Sequence, residues 1–92
     1  MSFKIVGKVL PKFFLDELEK TIAANIAGAL RQDFPTVKAT AIAVALHVDI
    51  KTDTVKKWYN GSNKPSAAHL IILARASPSV HQALLNLIDG KP

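Results

Sequence analysis

Helix-breaking residues divide this 92-residue chain at Phe34-Pro35, Asn60-Gly61, Pro65, Ser77-Pro78 and Gly90. Proline lacks the backbone donor a helix needs and drives the residue before it out of the helical region. Glycine reaches the left-handed conformation in which helices commonly end. The stretches between these breaks carry apolar residues at three- and four-residue spacing, the mark of amphipathic helices. The chain must therefore build its core from several separate helices joined by short loops.

The periodicity predicts five helices. The first runs from about Phe13 to Asp33, with Asp16, Glu17 and Glu19 in its early turns and Arg31 in its last. That order of charge suits the helix dipole. Leu15, Leu18, Ile22, Ile26 and Ala29 form its apolar stripe. Thr36 is a suitable N-cap for a second, Ala-rich helix reaching about His47. Val48-Asp49-Ile50-Lys51 reads as a turn, and Thr52 or Asp53 caps a third helix that stops at Asn60-Gly61. Pro65 fits the first turn of a fourth helix ending near Ala76, and Ser77-Pro78 opens a fifth that Gly90 terminates. Residues 1–12, with Lys4, Lys8 and Lys12 and the apolar Phe3, Ile5, Val9 and Leu10, read as an N-terminal arm. The expected fold class is all-α: one domain over residues 1–92, a compact orthogonal bundle of about five helices.

Several chemistries are excluded by residue type. With no cysteine there is no disulfide, zinc ribbon or thiol nucleophile. His47, His69 and His81 have no spacing that suggests a metal site, and the carboxylates and serines show no catalytic pairing. No enzyme, cofactor or metal is expected. The longest apolar run, Ala41–Leu46, is far below the roughly 20 residues of a membrane span. Lys4 and Lys8 interrupt the apolar stretch that a signal peptide requires. The expected setting is cytoplasmic, at the nucleoid, with no membrane partner.

The net charge of +5 favours a polyanionic partner, and its distribution says where. Residues 51–64 hold four lysines against Asp53, a net +3, whereas residues 13–33 are net −2. Wound as a helix at about 100° per residue, residues 53–60 gather Val55, Trp58 and Tyr59 on one side. Asp53, Lys56, Lys57 and Asn60 then fall on the other, with Thr54 at the rim. A helix so short is stable only when neighbours hold its apolar face. The outer face can then enter a major groove, where amides and lysines meet base edges and phosphates.

Within residues 41–76, Ala43, Leu46, Val48, Thr54-Val55, Trp58, Gly61, Pro65, Leu70, Leu73 and Ala74 follow one another in a recognisable order. This run resembles the helix-turn-helix domains of the lambda repressor and Cro type, the XRE family. Two differences stand out: His47 occupies the usual glycine of the turn, and the connection to Thr54-Val55 is two residues longer. The resemblance implies a helix-turn-helix core over residues 36–60, double-stranded DNA as partner, and transcriptional regulation, with a homodimer doubling the readable site. Lys56, Lys57 and Asn60 are the candidates for base-edge or groove contacts. Thr52, Thr54, Ser62, Asn63 and Lys64 are the candidates for positioning on phosphates, and Lys51 is a further DNA-binding candidate.

Plainer readings stand beside these. Lys56 and Lys57 alone describe a solvated helix face, Trp58 is a core anchor, and Asp53 is best explained as a cap. In the fourth helix Ala67, Leu70, Ile71 and Ala74 make a stripe that leaves Ile72 and Leu73 off it. In the fifth, Val80, Ala83, Leu84, Leu87 and Ile88 leave Leu85 on the far side. Ile72, Leu85 and Ile88 are therefore candidates for a protein interface. They define a rival expectation: a helix-turn-helix antiactivator or antitoxin whose partner is a transcriptional activator or a toxin.

Overall fold

The structure, a computed structural model, describes residues 12–90. Within them the chain forms five helices and no strand: α1 (Lys12–Asp33), α2 (Val37–Ala45), α3 (Thr52–Asn60), α4 (Ala67–Ala76) and α5 (Pro78–Asp89). The expected arm over residues 1–12 lies outside the described residues, except that Lys12 already begins α1. With that start, Asp16 falls beyond the first turn, which contains no acid.

Most helix ends follow the local chemistry. Thr36 Oγ1 accepts from the Ala39 amide at 3.0 Å, and Ser77 Oγ accepts from the Val80 amide at 3.2 Å with Pro78 in the first turn. Gly61 and Gly90 end α3 and α5 at φ of 78° and 72°. Three ends differ from expectation. α2 stops at Ala45, because the Leu46 and His47 amides turn back onto the Ala43 and Val44 carbonyls. α3 is capped by the backbone of Lys51, so Thr52 and Asp53 are already helical and neither side chain caps it. Pro65 is buried just before α4, whose N-cap is Ser66.

α1 packs against α3 and α5, α2 against α3 and α4, and α4 against α5. The core joins Ile26, Ala29 and Leu30 of α1 to Val44, Val55, Trp58, Leu73 and Val80, one or two residues from every other helix. Small clusters of this kind carry most of the stability of a domain this size.

Burial corrects several sequence expectations. Leu15 and Leu18 remain exposed, so the α1 stripe is covered only from Ile22 onward. Leu46, which carries part of the family resemblance, is 82% exposed, and Val44 takes the core position of α2. In α4 Leu70 and Ala74 of the expected stripe do pack against the core, but Ile71 is 52% exposed, Leu73 is fully buried, and Ile72 packs partly against the core. The run Leu70-Ile71-Ile72-Leu73 is apolar all round, so its periodicity selects no face. Neighbouring α2 and α5 select it.

Candidate nucleic-acid interface

α3 places its side chains as the helical wheel requires. Val55 and Trp58 are buried and Tyr59 is half-buried. Asp53, Lys56, Lys57 and Asn60 are exposed, and Thr54 is half-buried at the rim. Asp53, Lys56, Lys57, Asn60 and Ser62 line a shallow depression of about 340 Å³. No ion pair among the described residues engages Lys56 or Lys57.

Three contacts hold this helix in place, and a fourth fixes the ring that one of them uses. Arg31 Nη1 donates to the Tyr59 carbonyl at 2.6 Å, and the Tyr59 hydroxyl donates to the Phe34 carbonyl at 2.8 Å. The Trp58 ring lies 5.1 Å from that of His69, tilted by 47°. His69 Nδ1 in turn lies 2.9 Å from Ser66 Oγ, the α4 cap. An aromatic pair at this distance adds to area burial alone. Trp58 is thus a core anchor and not a stacking platform.

The loop after α3 is equally constrained. Gly61 adopts the left-handed conformation, after which the Ser62 and Asn63 amides both donate to the Lys57 carbonyl, at 2.9 and 3.4 Å. A Cβ on Gly61 would stand 3.6 Å from that of Ala27, so the loop rests against α1. The resulting cleft, about 710 Å³, has Ala23 and Ala27 among its lining and carries Asp16, Glu19, Lys20 and Arg31 on the α1 side. Asn60 and Ser62 line both depressions and form the ridge between them.

Lys51, Thr52, Lys56, Lys57, Asn60, Ser62, Asn63 and Lys64 are all exposed. The fold brings Lys56, Lys57, Asn60 and Ser62 onto one surface. Lys64 is turned away from them: its Nζ lies 3.7 Å from Glu19 Oε2. Of the interface candidates, Leu85 and Ile88 are exposed on α5. Ile72 is withdrawn from that set by its packing against the core.

Asp33 was not among the candidates. It accepts from Ser77 Oγ at 2.5 Å, from Ser79 Oγ at 2.6 Å and from the Ser79 amide at 2.9 Å. The Ser77 hydroxyl first, then the Ser79 hydroxyl and amide, hold its carboxyl below the usual carboxylate range against the opposing effect of burial. It joins the end of α1 to the start of α5, and no local sequence signal links positions 44 and 46 residues apart.

Among the described residues no cluster of His, Asp or Glu suited to a metal ion occurs, and no helix is long and apolar enough to cross a membrane. Comparison with protein-family models, with curated proteins and with solved structures found no match.

Proposed function

We propose that this chain is a small helix-turn-helix regulator of transcription that binds duplex DNA by laying α3 in the major groove. The observation that carries the reading is the division of α3: Val55 and Trp58 are locked in the core while Lys56, Lys57 and Asn60 share the exposed face. An outward polar face on a short, rigidly held helix is what groove readout demands. Lys56, Lys57 and Asn60 take the groove. Lys51, Thr52, Thr54, Ser62 and Asn63 take the flanking phosphates, and the start of α3, where no side chain caps the helix, suits a further phosphate. Asp53, in the first turn, favours the dipole and limits how closely phosphate approaches that edge. A homodimer would present two such helices to adjacent half-sites.

Titration with mixed-sequence and promoter duplexes at two salt concentrations, followed by backbone amide shifts, tests this reading. Salt-sensitive shifts concentrated in residues 51–64 are expected. Replacing both Lys56 and Lys57 by Ala should flatten the slope of log affinity against log salt by about 0.9 for each phosphate that a lysine had neutralised. Absence of any shift at low salt would overturn the reading.

A second reading rests on α5, where Ile88 is 71% exposed and Leu85 lies exposed beside it. Apolar side chains left open on α5 suit a protein partner such as a transcriptional activator or a toxin. Changing Leu85 and Ile88 to Ser would abolish such a complex and spare DNA binding. The Lys56/Lys57 replacement would do the reverse.

A further inference from the structure

We propose that Glu19 limits how strongly the loop after α3 engages DNA, by holding Lys64 in an ion pair that phosphate must displace. The inference rests on the DNA-binding reading of α3.

The loop's own geometry sets up the pair. Gly61 and the paired amides of Ser62 and Asn63 on the Lys57 carbonyl fix the direction of the chain leaving α3. Small residues on α1, Ala23 and Ala27, let this chain settle against the helix. Lys64 therefore arrives at Glu19 because the backbone brings it there, and it stands across the Asn60–Ser62 ridge from Lys56 and Lys57.

The pair is built to exchange. At 3.7 Å, with side chains 43% and 57% exposed, it is a solvated contact of small net value. A phosphate brought alongside by α3 competes for the same ammonium and releases counterions as it binds. The other cations lining this cleft are also engaged: Lys20 stands 3.9 Å from Glu17, and Arg31 donates to the Tyr59 carbonyl. Asp16 adds a further negative charge to the cleft. Among the described residues the α1 side of the loop is thus held near neutrality, and the cationic footprint near the loop lies on the α3 side. Glu19 acts through Lys64 and is a positioning residue, touching no DNA itself.

The test is a double-mutant cycle of wild type, Glu19→Gln, Lys64→Ala and the double variant, each titrated with one mixed-sequence duplex over a series of salt concentrations. Both positions are exposed, and equal melting temperatures will verify that all four proteins fold alike. Glu19→Gln is expected to tighten binding about three- to five-fold at low salt and to steepen the salt slope by up to about one. The gain should vanish in the Lys64→Ala background. Unchanged affinity in Glu19→Gln, or an equal gain without Lys64, would overturn the proposal, the latter by showing simple repulsion between a carboxylate and DNA. Wild-type protein that binds no duplex at low salt would instead defeat the parent reading, and this one with it.

Discussion

The Arg31 guanidinium and the Tyr59 carbonyl, 28 residues apart in sequence, meet at 2.6 Å where α1 passes the end of α3. The last carbonyls of a helix have no intrahelical partner, and here a cation from another helix supplies one. Tyr59 reinforces the junction by donating its hydroxyl to Phe34. The orientation of α3 therefore depends on α1 at its C-terminal end.

Removing either contact should loosen that end. Arg31→Ala and Tyr59→Phe are each expected to cost about 1 kcal/mol of folding stability, measured by chemical denaturation. Under the proposed function Arg31→Ala should also weaken DNA binding, although Arg31 faces the α1 cleft and not the α3 face. Unchanged stability in both variants would show the junction to be incidental.

Asp33 predicts a pH dependence. Its native carboxyl titrates below the unfolded value of about 3.9. Its stabilising contribution is therefore complete above the unfolded value and is lost as pH falls through the native one. Asp33→Asn should destabilise the protein near neutral pH by about 1–2 kcal/mol. The gap between wild type and variant should close as acid denaturation is followed below about pH 4. A gap constant across that range would contradict the assignment.

Gly61 tests the geometry of the loop. At φ 78° an alanine is strained, yet its Cβ meets Ala27 only at ordinary contact distance. Gly61→Ala should cost about 1 kcal/mol, and Gly61→Asn less, because Asn tolerates the left-handed region. Equal losses in thermal melts would point to crowding against α1 instead.

The facing of α4 can be checked by truncation. Leu73→Ala should cost about 2–5 kcal/mol, whereas Ile71→Ala should stay within about 0.5 kcal/mol. The opposite ranking in denaturant titrations would restore the periodicity-based stripe and reject the packed arrangement.

The two α4 residues show where local reading reaches its end. For α3, three apolar and several polar residues alternate at helical spacing, so one face alone can be buried, and the wheel identified Val55 and Trp58 correctly. Four consecutive apolar residues in α4 offer no such contrast. Leu46 shows the same effect in α2: within Ala41–Leu46 every position is apolar, and contact with α3 and α4 decides that Val44 goes inside.

The number of helices, the breaks between them, the caps at Thr36 and Ser77 and the glycine stops at Gly61 and Gly90 are legible in the chain before any packing is known. Each depends on chemistry within a few residues: a missing amide, a side-chain acceptor or a freely accessible left-handed backbone. So do the segregation of charge and the polar outer face of α3. Packing, by contrast, was needed to show that Asp33 serves α5, that Arg31 closes α3, and that Lys64 meets Glu19. Those pairings join residues 28 to 46 positions apart. They exist only after burial of the core has set the relative positions of the helices, a free-energy balance to which every helix contributes.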